Sequence, residues 1–196
     1  MGKIVYLMGK SCTGKDTLYK RLLTDPVIKL GKIIPYTTRP IRIKEHDGVE
    51  YFFADEEKYE ALMNSGRVIE SRAYRTYHGV WRYFTVDDGQ IDLKNGNYIC
   101  IGTLESYEKT KAYFGEEYMI PILIEVDDGV RLQRALDRER KQKAPKYEEM
   151  CRRFLADSED FSKPKIEKAG ILKCFDNEIL EQCLKAVRNY LGKELL

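Results

Sequence analysis

Hydrophobic and polar positions follow two different periods along the chain. Runs of apolar and β-branched residues predict strands near 3–8, 33–38, 67–74, 98–102, 119–126 and 171–175. Apolar residues spaced three and four apart predict helices at 16–23, 55–64, 104–114, 128–141, 146–161 and 177–191. Because strands alternate with helices, the pattern indicates an α/β fold around a sheet.

The segment 33–85 is richer in strand than the rest of the chain, with turn signals at 47–48 and 78–79. It predicts a small β-rich insertion between the first helix and the remaining core. Inside it, Asp55 is expected to cap a helix that stops at Gly66, because acidic residues follow the aspartate and glycine favours a helix end.

The composition fits one domain. A chain of 196 residues with 43% hydrophobic content can bury a single core and carry modest insertions. The net charge is only +2 although 34% of the residues are charged, which argues against a nucleic-acid partner and favours a small anionic ligand.

Neither cysteine usage nor apolar length indicates secretion or membrane insertion. The cysteines are scattered and odd in number, so neither a disulfide framework nor a zinc site is predicted, and most are expected in the core. The apolar run 4–8 is too short for a signal peptide or a membrane span. We therefore expect a cytoplasmic protein without a membrane partner.

A glycine-rich segment lies between the first predicted strand and the first predicted helix. Two glycines let backbone N–H groups converge on phosphate oxygens, the helix N-terminus favours anions, and Lys15 can reach the terminal phosphates. The alternative is a glycine turn with an incidental lysine, but the flanking strand and helix favour phosphate binding. The predicted nucleotide-binding residues are Gly9, Lys10, Ser11, Cys12, Thr13, Gly14, Lys15, Asp16 and Thr17.

Asp16 stands where such loops usually have a serine or threonine that contacts the magnesium of the nucleotide. Thr17 is one helical step further, so its side chain points about 100° away. A carboxylate is a good ligand for Mg²⁺, either directly or through water. We predict Asp16 as the metal ligand.

A second cluster contains Arg39 and Arg42, with Tyr51 a short turn further along. Two arginines and a tyrosine could clamp one phosphate through charge-assisted hydrogen bonds. Taken alone, these arginines could equally be ordinary surface charges.

The sequence Thr37-Thr38-Arg39-Pro40-Ile41-Arg42, followed by Asp47-Gly48-Val49-Glu50-Tyr51, resembles the guanylate kinase family. The resemblance covers nearly the whole chain and implies a P-loop kinase fold of three layers around a parallel sheet. It also implies a core of residues 1–32, 86–130 and 154–196, an acceptor-binding subdomain at 33–85, and a helical lid at about 131–153.

In this family, the matching residues Arg39, Arg42 and Tyr51 hold the phosphate of GMP, and Glu70 accepts hydrogen bonds from guanine. Other positions depart from the family pattern. His78 replaces a phosphate-binding tyrosine, and Thr103 ends a strand where the family has acidic residues; with Arg39, Arg42, Tyr51 and Glu70, both are predicted to bind the substrate. Val80 replaces a base-reading hydroxyl. These departures concern base recognition more than phosphate transfer.

The segment 131–153 is rich in arginine and lysine. A solvated basic helix face is one explanation. In the family, lid arginines close over the phosphates, and Arg138 and Arg153 are the matching positions. With Lys15 and Arg39 they are the predicted catalytic residues, acting by alignment and charge neutralisation without a general base.

The resemblance implies transfer of phosphate from ATP, with Mg²⁺, to GMP. A ribosyl-bisphosphate phosphokinase of the same fold remains an alternative, because that group also has Gly-Lys-Asp in its phosphate loop. A non-catalytic phosphopeptide-binding module of this fold is the third possibility. The intact Gly14-Lys15 pair and the arginine-bearing lid argue against it. The sequence does not indicate an oligomeric state.

Overall fold

A computed structural model describes residues 1–76 and 79–195. The strands are β1 (Ile4–Met8), β2 (Leu30–Lys32), β3 (Tyr36–Thr37), β4 (Phe52–Phe53), β5 (Val68–Thr76), β6 (Gly79–Val86), β7 (Asn97–Gly102), β8 (Met119–Glu125) and β9 (Cys174–Asp176). The helices are α1 (Lys15–Leu23), α2 (Glu56–Asn64), α3 (Leu104–Phe114), α4 (Asp128–Arg140), α5 (Tyr147–Asp160), α6 (Lys163–Lys168) and α7 (Leu180–Glu194), and a 3₁₀ turn spans Glu116–Tyr118.

The core is a parallel sheet with strand order β2-β7-β1-β8-β9. Strand β1 lies at its centre and is buried along its whole length. Because side chains alternate along a strand, Val5 and Leu7 pack with α1 and α7 on one face, whereas Ile4 and Tyr6 pack with α3 on the other. The predicted three-layer α/β architecture is thus confirmed.

A second, smaller sheet has the order β4-β3-β6-β5. Its long antiparallel pair joins β5 to β6, with Glu70 opposite Thr85 and Arg72 opposite Tyr83. Helix α2 covers this sheet, and Tyr59 of the helix meets Phe84 of β6 edge to face at 4.9 Å. The Asp55 carboxylate accepts from the Lys58 N–H at 2.8 Å and caps α2, as predicted.

Several elements differ from the sequence prediction. Of the predicted strand 33–38, only Tyr36–Thr37 forms a strand, β3, and the unpredicted β2 ends before the predicted range; Pro35, which has no N–H to donate, lies between the two strands. Strand β6 was not predicted, and neither were β4 and α6. The last helix begins at Leu180 rather than 177, because Asn177 is held against the phosphate loop.

The cysteine prediction is wrong in part. Cys100 and Cys183 are buried, but Cys12 is half-buried and Cys151 and Cys174 are exposed. All five are free thiols. Within residues 1–76 and 79–195, none of the helices is both long enough and apolar enough to span a membrane.

Candidate active site

The loop between β1 and α1 is shaped by two glycines. Gly9 has φ 153°, and a Cβ there would lie 2.4 Å from the Ile124 carbonyl oxygen. Gly14 has φ 86°, and its Cβ would lie 2.3 Å from the Asn177 side-chain nitrogen. Among the described residues, no side chain caps α1, so the first N–H groups of the helix remain available to an anion.

Side chains of the loop brace it from within. Thr13 is buried, and its hydroxyl donates to the Lys10 carbonyl at 3.0 Å. The Lys15 ammonium donates to the same carbonyl at 3.5 Å and so lies across the loop. The Lys10 ammonium pairs with Asp128 at 3.6 Å. The Lys15 ammonium, which directly follows Gly14, is thus held close to the loop backbone.

Asp16 and Thr17 lie in the first turn of α1, and both are exposed. In the part of the chain that the structure describes, no three metal-ligating side chains lie together. A magnesium ion beside Asp16 would therefore depend on phosphate oxygens and water for its other ligands.

Arg131 of α4 joins the phosphate loop to helix α5. Its side chain is 1% exposed, donates from Nε to the Ser11 carbonyl at 3.1 Å, and pairs with Asp128 and Asp157. The guanidinium also lies over the Phe154 ring at 4.7 Å. Asp157 in turn accepts from the Ser11 N–H at 2.6 Å. The loop backbone is therefore fixed by a buried ion pair that the sequence analysis did not identify.

Replacing Arg131 with alanine is expected to lower the free energy of unfolding by about 3 kcal/mol, because it leaves Asp157 without its cation in a largely buried position. Urea denaturation measures the loss. Arg140 lies on the same helix with 62% of its side chain exposed, so its alanine variant should differ from wild type by less than about 0.5 kcal/mol. Equal losses in the two variants would contradict the structural role of Arg131.

The predicted lid arginines lie beside the phosphate loop. Arg138 and Arg153 line one cavity with Ser11 and Cys12 of the loop. Each is about half exposed. The Arg153 Nε donates to Glu149 at 2.8 Å, and the Arg138 guanidinium lies 3.7 Å from Glu139. The structure thus brings both arginines to the loop. The Arg153–Glu149 pair is exposed and costs little to break, whereas the Glu139 partner of Arg138 is buried.

In the acceptor segment, Arg39 is 3% exposed and forms a bidentate ion pair with Glu45, with N–O distances of 2.6 and 2.7 Å. Its guanidinium lies 5.0 Å from the Tyr51 ring centroid. The Arg39 Nε is buried and has no hydrogen-bond partner among the described residues. Such an orphaned donor fits an anion that is bound beside it. Arg42 is exposed, and its backbone N–H donates to Glu45.

The ion pair with Glu45 changes the acid–base behaviour of both side chains. Hydrogen bonds from Arg39 hold the pKa of Glu45 below its usual range, against the effect of burial. Burial is the largest single effect and lowers the pKa of Arg39, but the hydrogen bond to Glu45 and the charges of Glu45, Tyr83 and Tyr51 together outweigh it, so the pKa of Arg39 is raised. Both groups are therefore charged at neutral pH.

Glu70 lies behind the acceptor segment, with 1% of its side chain exposed. It accepts from Arg72 Nε at 3.0 Å and from the Thr85 hydroxyl at 2.9 Å. The Arg72 Nη1 lies 3.3 Å from the Thr103 hydroxyl, and that hydroxyl also caps α3. Glu70 and Thr103, two predicted substrate-binding residues, are thus joined through Arg72. The prediction for His78 lies outside the described residues.

Several side chains that order this site were not predicted from the sequence. For Arg72 a signal existed, because it lies two residues after Glu70 on a predicted strand and so faces the same way. For Glu45 and Asp157 no local pattern marks the partner, since each reaches its arginine through a loop or from a separate helix. The missed residues are Glu45, Arg72, Thr85, Arg131, Asp157 and Asn177.

Strand β1 links the two parts of the site. Its Tyr6 lines a cavity with Glu70, Arg72 and Thr85, and the strand ends at Met8, directly before the phosphate loop. The phosphate loop thus follows the carboxyl end of β1, where ligands bind in open α/β sheets, and the second cavity lies against the same strand.

Comparison with known proteins agrees with this geometry. Residues 1–82 match the family model of guanylate kinase. A guanylate kinase of Mycoplasmoides gallisepticum is 38% identical over 79 residues, which cover 40% of this chain and 40% of that relative. The match thus spans well under two thirds of that relative's length.

The crystal structure of guanylate kinase from Anaplasma phagocytophilum has the same fold. The TM-score is 0.65 at 20% identity, and the match covers 100% of this chain and 87% of that one. The chain therefore has the fold of guanylate kinase over its whole length and carries the sequence signature of the guanylate kinase family in residues 1–82.

Proposed function

We propose that this protein transfers the γ-phosphoryl group of ATP to a nucleoside monophosphate, with GMP as the acceptor. The main support for this proposal is that the two predicted lid arginines, Arg138 and Arg153, line the same cavity as the phosphate loop. The orphaned Nε of Arg39 adds an anion-binding donor in the acceptor segment. A family relationship to guanylate kinases in residues 1–82 supports the choice of acceptor.

The chemistry requires alignment and charge neutralisation more than covalent help. Phosphoryl transfer passes through a loose transition state with charge spread over the transferred group. Lys15 and the loop N–H groups would bind the donor phosphates, and Arg39, Arg42 and Tyr51 would hold the acceptor phosphate. Arg138 and Arg153 would neutralise the negative charge on the phosphoryl group that passes between the donor and acceptor phosphates. The acceptor phosphate is already a nucleophile at neutral pH, so no base is needed.

Magnesium fits the loop through Asp16. Mg²⁺ is usually held by one or two carboxylates together with substrate phosphates and water. Asp16 is an exposed carboxylate directly after Lys15, which matches that donor set. When bound there, the ion would screen the charge of the nucleotide phosphates.

A coupled assay of ATP consumption with GMP, dGMP, AMP, UMP and ribose 1,5-bisphosphate tests the acceptor. We expect the highest kcat/KM with GMP. A higher value with ribose 1,5-bisphosphate would instead establish the ribosyl-bisphosphate phosphokinase alternative. Binding of a phosphopeptide without any ATP turnover would favour the non-catalytic module.

Replacing Asp16 with alanine is expected to raise the magnesium concentration that gives half-maximal rate, because one oxygen ligand is lost. The KM for GMP should stay within about twofold, since Asp16 is remote in sequence and element from the acceptor segment. Titration of the rate with MgCl₂ at fixed ATP measures the change. An unchanged magnesium dependence would reduce Asp16 to a carboxylate that stabilises the N-terminus of α1.

A further inference from the structure

The cavity behind the acceptor segment contains an ion pair whose partners face its interior. Among the described residues that line it, Glu70 and Arg72 alone are charged. Burial raises the pKa of the Tyr6 hydroxyl and of the Cys100 thiol, so both stay neutral. Any polar recognition in this cavity therefore depends mainly on Glu70 and Arg72.

Hydrogen-bond capacity exceeds the contacts that the pair already makes. The Arg72 guanidinium has five N–H donors. Among the described residues, its acceptors are the two Glu70 oxygens, the Thr103 hydroxyl and the Tyr74 hydroxyl. Burial raises the pKa of Tyr74, and Arg72 offsets part of that rise. The Glu70 carboxylate has about four acceptor sites and receives two bonds from Arg72 and one from Thr85. By this count of the described contacts, one donor of Arg72 and one acceptor site of Glu70 are left over, on two side chains that contact each other.

An adjacent donor and acceptor match a particular edge of a nucleobase. In a 6-oxopurine, the O6 acceptor lies next to the N1–H donor, whereas adenine has a donor at position 6 and an acceptor at N1. Arginine is well suited to the O6 and N7 acceptors of guanine. Val80, at the position where a hydroxyl would otherwise serve, has no donor in its side chain and is 44% exposed.

We propose that Arg72 donates to O6 of the acceptor base, beside the N1–H that the resemblance assigns to Glu70, so that Arg72 is the residue that adds selection for a 6-oxo group. This inference rests on the proposed function. Arg72 is here a specificity residue, because it contacts the base and not the transferred phosphoryl group.

The first test uses the wild-type protein and needs no variant. We compare kcat/KM for GMP, for IMP and for the monophosphate of 2-aminopurine riboside, which lacks O6. IMP retains O6 and N1–H and should stay within about tenfold of GMP. The 2-aminopurine compound should fall by about a hundredfold or more, because a buried donor and acceptor lose their partners. Equal use of all three compounds would overturn the inference.

The second test uses Arg72→Lys, which keeps the charge that Glu70 requires but removes the planar fork. We expect kcat/KM for GMP and IMP to fall together by about tenfold to a hundredfold, with that for AMP unchanged or higher. A purely structural role would lower all three acceptors equally. Arg75→Lys on the same strand is the matched control, because Arg75 is exposed, does not line the cavity and should leave the ratios unchanged.

The two proposals fail in different ways. If the wild-type protein phosphorylates no purine monophosphate, the proposed function itself is wrong. If it prefers GMP but the Arg72→Lys variant keeps the wild-type ratio of GMP to AMP efficiency, only the role of Arg72 is wrong. Equilibrium binding of GMP and AMP to both proteins, measured by calorimetry, separates base recognition from turnover.

Discussion

Replacing Lys15 with alanine is expected to reduce kcat at least ~100-fold, the effect typical of losing one preorganised charge contact to a developing transition state. Lys15 follows the glycine that opens α1, and its ammonium lies across the phosphate loop at 3.5 Å from the Lys10 carbonyl. An alanine there leaves the loop backbone intact and removes the one side-chain cation directly after Gly14. The loss should appear in kcat more than in acceptor KM.

Lys20 provides a matched control for this prediction. It is an exposed lysine on the same helix, outside the phosphate loop. Lys20→Ala should keep kcat within about twofold and the free energy of unfolding within about 0.5 kcal/mol. A Lys15→Ala protein with near-normal turnover, at wild-type stability, would show that the loop does not position ATP for transfer.

Much of the core could be predicted from the sequence because local patterns specify it. Strand β1 is a continuous apolar run, and α2 has both an N-terminal aspartate cap and a glycine stop. The phosphate loop is equally local, since its glycines and lysine are contiguous. These signals depend on neighbours in the chain, so a single sequence is enough to detect them.

The missing parts depend on contacts between distant residues. Arg131 looks like another cation on a basic helix, and only the approach of Asp157, 26 residues away, makes it a buried brace. Strand β6 was missed because Arg82 and Thr85 interrupt its apolar residues, which leaves neither a long apolar run nor a two-residue alternation, and its pairing with β5 decides its conformation. For Glu70 and Arg72, strand alternation predicts that both side chains lie on one face, but it does not predict that they form an ion pair.

Binding of the acceptor phosphate is expected to depend on Glu45, a residue that no sequence motif indicated. Glu45 holds both terminal nitrogens of Arg39 and leaves its Nε as the unpaired donor. The pKa of Glu45 is lowered, so the stability that the pair contributes is complete above the ordinary glutamate pKa. It is lost as the pH falls through the lowered value. At neutral pH, Glu45 therefore fixes the orientation of the Arg39 guanidinium.

Glu45→Gln is expected to raise the KM for the acceptor about tenfold and to leave the KM for ATP unchanged, because it keeps one hydrogen bond to Arg39 but removes the bidentate ion pair. Steady-state kinetics with each substrate varied in turn measure the two constants. A change in both constants would indicate a general disturbance of the fold rather than a misplaced acceptor clamp.

Arg39→Ala should have the larger effect, because it removes both the clamp and the partner of Glu45. We expect kcat/KM for every phosphorylated acceptor to fall about a hundredfold or more, since Arg39 would contact the phosphate that all of them share. Arg82→Ala on β6 removes a partly exposed ion pair with Glu56 and a contact with the Tyr59 ring at 4.6 Å, and it should cost about 1 kcal/mol of stability. If Arg39→Ala lowers stability but leaves acceptor KM at the wild-type value, Arg39 is a buried structural arginine, and the phosphate must be bound by Arg42 and Tyr51 without it.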